Sequence, residues 1–103
     1  MDYTVTRHHP EKHFVLSGQL TFSDHNKFQS IIDAIGDDKV RSVALDFKAV
    51  DFIDSAGLGM LLLLRDRCME LKLPVSIQGP TGQVGKIFML SKFDQLFTMQ
   101  AKG

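Results

Sequence analysis

The sequence has little of several features that mark common classes of protein. Its 103 residues include one cysteine, Cys68, and no tryptophan, and its 12 basic side chains balance its 12 acidic ones. A lone cysteine cannot form an internal disulfide, and a chain without net positive charge lacks what a phosphate backbone selects. The apolar run over residues 56–64 is far shorter than the roughly 20 residues that cross a bilayer, and the first residues lack the apolar stretch of a secretory signal. We therefore predict a cytoplasmic protein with no membrane segment and no nucleic-acid partner.

The apolar content is sufficient for one hydrophobic core. Hydrophobic residues make up 44% of the chain, and eight residues are phenylalanine. A chain of this length buries enough surface for one core and not for two. The sequence has no repeat or linker, and its three prolines stand where periodic segments end. We predict a single domain over residues 1–103, and we expect a monomer when the protein is free because its exposed apolar segment is short.

The first part of the chain predicts a hairpin followed by a helix. Residues 3–7 and 13–20 have the composition of short strands, and the polar, proline-containing segment between them is typical of a turn. Ser23 is a good N-cap and Gly36 a good stop, and apolar residues between them recur at the i, i+3, i+4, i+7 spacing of one helix face. That face consists of Phe28, Ile31, Ile32 and Ile35.

The remainder alternates strands and helices. Residues 43–47 form an apolar run without alternation, which is typical of a central strand. A helix follows from about Asp54 to Leu71, and a third helix opens at Thr81 after an alternating strand over residues 75–78. Because parallel strands need crossover connections, this order predicts an α/β fold, in which crossover helices pack against a mixed β-sheet with an N-terminal hairpin.

Several tempting chemical motifs fail on spacing. Glycines precede Lys86, but a phosphate-binding loop needs a different glycine spacing and a Ser or Thr where Ile87 stands. The four histidines do not form the H-E-x-x-H motif of a metalloprotease, because Pro10 and not glutamate follows His9, and Cys68 has the helical position of a packing residue. We therefore predict no cofactor, no metal ion and no redox role. The methionines of the predicted helices are expected to fill the core; they are Met60, Met69 and Met89.

The segment that joins the central strand to the second helix departs from these rules. The sequence predicts a short loop there that exposes Val50, Phe52 and Ile53 among acidic residues. The helix that follows contains two glycines, and each costs roughly 1 kcal/mol relative to alanine in a helix interior. Close approach of another surface would compensate that cost. The alternative is that Gly57 and Gly59 only let the helix pack tightly on the sheet.

Ser55 stands where a phosphate is readily accommodated. A serine in the first turn of a helix presents its hydroxyl beside backbone N–H groups that have no helical partner, and the helix N-terminus favours an anion. Asp51 and Asp54 lie nearby and oppose a negative charge. A phosphoserine adds about −1.5 to −2 charges, which would make this patch of a neutral domain strongly negative. The alternative, that Asp54 and Ser55 only cap the helix, stays open.

The same segment resembles the signature of STAS domains. The resemblance is carried by Ile53-Asp54-Ser55-Ala56-Gly57-Leu58-Gly59 before a leucine-rich helix. Residues 15–20 are similar to the second strand and Gly-x-Leu turn of the family, and residues 91–97 to its last turn. Within the family the chain is most similar to single-domain anti-sigma-factor antagonists. Two positions differ, because Thr21 stands where many members carry Asp and Lys92 where glycine is usual.

This resemblance implies a STAS-like fold and a protein–protein switch. In the family, the serine at the position of Ser55 is phosphorylated by a serine kinase of the histidine-kinase-like ATPase fold, often the anti-sigma factor itself. Phosphorylation releases that partner, and a PP2C-type phosphatase restores the unmodified form. The resemblance implies a partner-binding surface made of Phe52, Ile53, Asp54, Ser55, Gly57, Leu58 and Met60.

Two other functions compete with the switch. Residues 53–57 do not match the G-x-S-x-G motif of α/β-hydrolases, so we expect Ser55 to be a substrate and the protein not to be an enzyme. Some single STAS domains are instead cytoplasmic accessory subunits of ABC transporters, which bind the ATPase without a phosphorylation cycle. A serine directly after Asp54 favours the switch, because accessory subunits often carry threonine at that position.

Overall fold

The chain folds into an α/β structure whose elements follow the predicted order. The computed structural model describes residues 1–36 and 39–100, which contain five strands, three α-helices and two 3₁₀ turns. The strands are β1 (Asp2–Arg7), β2 (Glu11–Leu20), β3 (Ser42–Ile53), β4 (Val75–Gln78) and β5 (Thr98–Gln100). The helices are α1 (His25–Ala34), α2 (Ser55–Glu70) and α3 (Gly82–Leu90), and the 3₁₀ turns are Phe22–Asp24 and Phe93–Gln95.

The strands form one sheet in the order β1-β2-β3-β4-β5. The β1–β2 pair is antiparallel, which confirms the N-terminal hairpin, and the other three pairs are parallel. Each parallel pair is connected through one of the three helices, as parallel geometry requires. The strand predicted from residues 43–47 is central, as expected. The fold class is therefore confirmed.

Phenylalanine rings tie the C-terminal segment to the sheet. The ring centroids of Phe47 on β3 and Phe88 on α3 are 5.5 Å apart, and Phe88 stacks on Phe93 at 5.6 Å. Phe93 in turn stacks on Phe97 at 5.6 Å. Residues 93–100, whose sequence pattern is ambiguous, thus form a turn and the edge strand β5 because their aromatic side chains are drawn into the core.

The loop predicted after residue 47 is instead the second half of β3. This strand has 12 residues, and its pairing with β2 extends to Leu20 opposite Ile53, with two irregularities of register on the way. Val50 and Ile53 are each 2% exposed, so the prediction that they are exposed was wrong. The physical reason is the ten-residue length of β2, whose backbone groups supply hydrogen-bond partners along the whole of β3.

Other local predictions also need correction. Met60 is buried, but Met69 and Met89 are 57% and 73% exposed and do not fill the core. Ser23 does not cap α1, because the first 3₁₀ turn, capped by Thr21, comes before a helix that begins at His25. The helical period continues across this turn, so the apolar pattern does not show where the α-helix begins.

Further properties of the described residues bear on function. None of the described helices is long and apolar enough to cross a membrane. Within residues 1–36 and 39–100, no group of three histidine, cysteine or acidic residues is placed to hold a metal ion. Cys68 is fully buried on α2, and this burial raises the pKa of its thiol to about 11, although the charge of Arg67 opposes the rise. A thiol in that environment is inert, which agrees with a packing role.

Candidate functional site

The junction between β3 and α2 is organised by Asp54. Its backbone is extended, and its Oδ1 accepts a hydrogen bond from the backbone N–H of Gly57 at 2.7 Å, so Asp54 is the N-cap of α2. The Asp54 N–H donates to the carbonyl oxygen of Leu20 at 3.2 Å, while the Asp54 carbonyl accepts from the N–H of Leu58 at 3.0 Å. Both backbone groups of the cap are thus held in place. Because Asp54 caps the helix, the hydroxyl of Ser55 is not needed for that role.

Ser55 is the first residue of α2 and is exposed. The helix N-terminus carries partial positive charge, and N–H groups of the first turn have no partner inside the helix. These groups favour a phosphate on the hydroxyl. The carboxylate of Asp54 and the exposed Asp51 at the end of β3 oppose it. The hydroxyl is accessible to a phosphoryl group. A phosphoryl group there would add its negative charge to those of the two carboxylates.

The exposed face of α2 continues away from Ser55 as a short apolar stripe that ends at the exposed Asp66. Successive positions on this face of the helix are Ser55, Gly59 and Leu62, which are all exposed. Leu62 is 36% exposed and the neighbouring Leu63 is 52% exposed. A Cβ atom added to Gly59 would meet no atom of the described residues within 4 Å. Packing inside this chain therefore does not require glycine at position 59, and the stripe is open to another surface.

Gly57 has the opposite environment. A Cβ atom at this position would lie 2.5 Å from the Leu20 carbonyl oxygen and 2.7 Å from Cγ1 of Ile53. Glycine therefore lets the first turn of α2 approach the ends of β2 and β3. Of the two explanations for these glycines, tight packing on the sheet accounts for Gly57. It does not account for Gly59, for which the approach of another surface stays the explanation.

The predicted partner-binding residues do not share one surface. Ser55 is exposed, whereas Phe52, Asp54 and Leu58 are half-buried. The other three, Ile53, Gly57 and Met60, are buried. Ile53 is buried because β3 extends as far as this residue, and the other two because the inner face of α2 packs on the sheet. These three position the helix from within and do not face outward.

Sequence reasoning missed a residue that the fold brings to this site. The second carboxylate oxygen of Asp54, Oδ2, accepts a hydrogen bond from the backbone N–H of Phe22 at 3.2 Å. Phe22 lies in the turn between β2 and α1 and is 74% exposed. Its position outside the apolar face of α1, among polar neighbours, is the sequence signal that could have singled it out.

The turn that carries Phe22 is held by a second carboxylate. Oδ2 of Asp24 accepts from the backbone N–H of Thr21 at 2.9 Å, and Oδ1 pairs with the Met1 ammonium group at 2.9 Å. Burial alone would raise the pKa of Asp24, but these hydrogen bonds and the ammonium charge outweigh it and lower that pKa. The carboxylate of this turn therefore holds the backbone at Thr21.

Comparison with known proteins agrees with this architecture. The STAS domain family model matches residues 3–102 of the chain. A STAS-domain containing protein of Pseudomonas aeruginosa strain UCBPP-PA14 is 33% identical over 82 residues, which cover 80% of each chain.

Solved structures share the fold at low sequence identity. The anti-sigma factor antagonist SpoIIAA in its unphosphorylated form superposes with a TM-score of 0.77 at 19% identity, over 97% of this chain and 87% of that one. The Bacillus SpoIIAA in its phosphorylated form has a TM-score of 0.69 at 18% identity, over 97% and 90% of the two chains. A sulfate transporter family protein from Wolinella succinogenes gives 0.77 at 14% identity, over 91% and 79%. The match across residues 3–102 and the 33% identical relative show that this chain belongs to the STAS domain family.

Proposed function

We propose that the protein is an anti-sigma-factor antagonist that works by partner switching in the cytoplasm. Its unphosphorylated form binds a serine kinase of the histidine-kinase-like ATPase fold, which is also the anti-sigma factor. Phosphorylation of Ser55 by that kinase ends the complex, and a PP2C-type phosphatase resets the cycle. The observation that carries the proposal is the exposed Ser55 at the first position of α2, freed from capping by Asp54 and followed by an open apolar stripe.

The apolar stripe accounts for binding in the unphosphorylated state. Leu62 and Leu63 expose large side chains next to the open surface at Gly59, and a partner that covers them removes apolar area from water. Close approach at Gly59 would bring the kinase within reach of Ser55. The same contacts thus hold the partner and present the acceptor hydroxyl.

The charge of the phosphate accounts for release. Transfer forms a bond between the Ser55 oxygen and the γ-phosphorus of ATP, breaks the bond from that phosphorus to the bridging oxygen of ADP, and frees the hydroxyl proton. The product carries about −1.5 to −2 charges beside the Asp54 and Asp51 carboxylates. Burying that charge without a cationic partner costs several kcal/mol, which corresponds to a loss of affinity of about 100-fold or more.

In this cycle the protein is a substrate and a ligand, not an enzyme. The kinase supplies ATP, and the phosphatase supplies the hydrolytic site. SpoIIAA, whose fold this chain shares, has been solved in unphosphorylated and phosphorylated forms. The existence of both forms supports the proposal that this fold tolerates phosphorylation.

The alternative function is a cytoplasmic accessory subunit of an ABC transporter. The Wolinella succinogenes sulfate transporter family protein has the same fold, so the fold is compatible with a transport role. An accessory subunit would use the same exposed face of α2 and would not be phosphorylated in a cycle. The identity of the ATPase that binds the protein separates the two functions.

The deciding experiment compares Ser55→Ala and Ser55→Glu with the wild type. Purified histidine-kinase-like serine kinases encoded in the source genome are titrated with each protein in the presence of ADP, and phosphate is located by peptide mass spectrometry after incubation with ATP. We expect phosphate on Ser55, wild-type affinity for Ser55→Ala, and at least tenfold weaker binding for Ser55→Glu.

The matched control is Ser91→Glu, which places the same charge on an exposed serine at the end of α3. It should bind like the wild type. Equal affinity of Ser55→Glu and the wild type would refute the electrostatic release. Binding to a transporter ATPase without phosphorylation of Ser55 would favour the accessory subunit.

A further inference from the structure

Phe22 is an exposed aromatic residue on a rigid turn. Its side chain is 74% exposed, although an aromatic ring of this kind is among the most costly groups to leave in water. The backbone on both sides is nevertheless fixed, because Thr21 and Asp24 form a capping box around the 3₁₀ turn. Because the backbone that carries the ring is already fixed, a partner that covers the ring need not order this segment of the chain.

The carboxylates beside Phe22 are already satisfied. Asp24 uses its two oxygens on the Thr21 N–H and the Met1 ammonium group, and Asp54 uses its own on Gly57 and Phe22. The Phe22 ring is therefore the group of this turn whose removal from water by a partner would release the most free energy. It borders an open groove of about 490 Å³ lined by Phe22, Ser23, His25 and Asn26. The complementary feature on a partner is an apolar pocket that takes the ring, not a cationic patch.

A single residue, Asp54, connects the turn that carries Phe22 to the proposed phosphorylation site at Ser55. The carboxylate of Asp54 joins the N–H of Phe22 at 3.2 Å to the N–H of Gly57 at 2.7 Å, and Ser55 follows Asp54 directly. A kinase that reaches the Ser55 hydroxyl must also approach this turn. The occupant of the surface around Phe22 is therefore the same kinase, and this assignment rests on the proposed function.

We propose that Phe22 is an aromatic anchor that enters an apolar pocket of the kinase and determines which kinase the protein binds. Interface energy is concentrated in a few large side chains that fill pockets, and aromatic residues, phenylalanine included, are enriched at the cores of interfaces. The anchor does not touch the reacting hydroxyl. Its loss should therefore weaken the encounter of kinase and substrate and leave the rate of phosphoryl transfer at saturation unchanged.

The test uses the panel of purified kinases with ADP, and measures dissociation constants for the wild type, Phe22→Ala, Phe22→Leu and Leu90→Ala. Leu90 is the matched control, because it is 76% exposed on α3. We expect at least tenfold weaker binding for Phe22→Ala, partial recovery for Phe22→Leu, and no change for Leu90→Ala.

The preference of the wild type among the kinases should shrink in Phe22→Ala, and kcat/KM for phosphorylation of Ser55 should fall while kcat is kept. The melting temperature of Phe22→Ala should equal that of the wild type because the ring is exposed.

Each contrary result has a distinct meaning. If Ser55→Glu is released and Phe22→Ala binds as tightly as the wild type, the anchor is refuted and the proposed function stands. An equal loss for Leu90→Ala would refute the anchor as a local contact. Self-association of the wild type that Phe22→Ala abolishes would refute the kinase as the occupant and assign the surface to a second copy. If no kinase of the panel binds the wild type, both proposals fail together.

Discussion

Gly57 and Gly59 are two residues apart on α2 and have opposite environments. Gly57 packs against the Leu20 carbonyl and Ile53, where a methyl group would be too close. Gly59 faces open space. The helix therefore bears a propensity cost of roughly 1 kcal/mol at position 59 that no contact within the described part of the chain offsets. A surface that comes from outside the molecule is the natural source of compensation.

Alanine substitutions separate the two roles. Gly59→Ala should raise the free energy of unfolding by about 0.5–1 kcal/mol, because alanine is the better helix former and has room for its methyl group. Gly57→Ala should lower it by about 1–3 kcal/mol, because the first turn must shift away from the sheet. Urea denaturation followed by circular dichroism measures both. The interpretation fails if both variants are destabilised to the same extent.

At the scale of secondary-structure elements, the junction of β3 and α2 depends on a single carboxylate. Asp54 accepts hydrogen bonds from an N–H of its own helix and from an N–H of the turn after β2. The cap thus begins α2 and also attaches a segment 32 residues away in the chain. Loss of the carboxylate leaves two backbone donors to find new partners.

Asp54→Ala should therefore destabilise the fold by about 1–2 kcal/mol, the upper part of the range for a helix N-cap. Asp54→Asn keeps one acceptor oxygen and should lose less. Asp51→Asn is the control, because Asp51 is an exposed carboxylate three positions earlier and does not cap the helix. Chemical denaturation of the three variants gives the order. Equal stability of Asp54→Ala and Asp51→Asn would contradict the role of the cap.

At the scale of the whole molecule, Asp24 links the start of β1 to the turn that precedes α1. Its Oδ1 lies 2.9 Å from the Met1 ammonium group, a pair 23 residues apart in the chain, and its side chain is only 12% exposed. Hydrogen bonds and this charge lower its pKa below the ordinary value of 3.8. A carboxyl group whose pKa is lower in the folded state stabilises the fold above its unfolded pKa. It loses that contribution as the pH falls through the folded value.

Asp24→Asn removes this contribution and tests it by pH. The variant should be less stable than the wild type at neutral pH, and the difference should shrink as the pH falls below 3.8, where Asp24 of the wild type takes up a proton. Thermal denaturation of both proteins across this range measures the difference. A gap that stays constant from about pH 7 to about pH 2 would show that the charge of Asp24 does not act on stability.

Local signals predicted the elements that depend on local chemistry. The β4 strand, the hairpin and the start of α2 agree with their predictions because strand composition, turn residues and a capping carboxylate act within a few positions. The local pattern predicts a loop for the second half of β3, because the regularity of that segment comes from β2, a partner that the local pattern does not show. Residue type predicts Met69 and Met89 in the core and is wrong there, because it does not tell which face of a helix is covered.

The candidate site also combines features that depend on adjacent residues with features that depend on the packing of distant segments. Adjacent residues are enough to predict the start of α2, the serine after its cap, and the signature shared with the STAS family. The inward position of Ile53, Gly57 and Met60 and the hydrogen bond from Phe22 to Asp54 are seen only once the chain is folded. Burial and contacts between distant segments follow from how the sheet and helices pack, and that packing is a property of the whole chain.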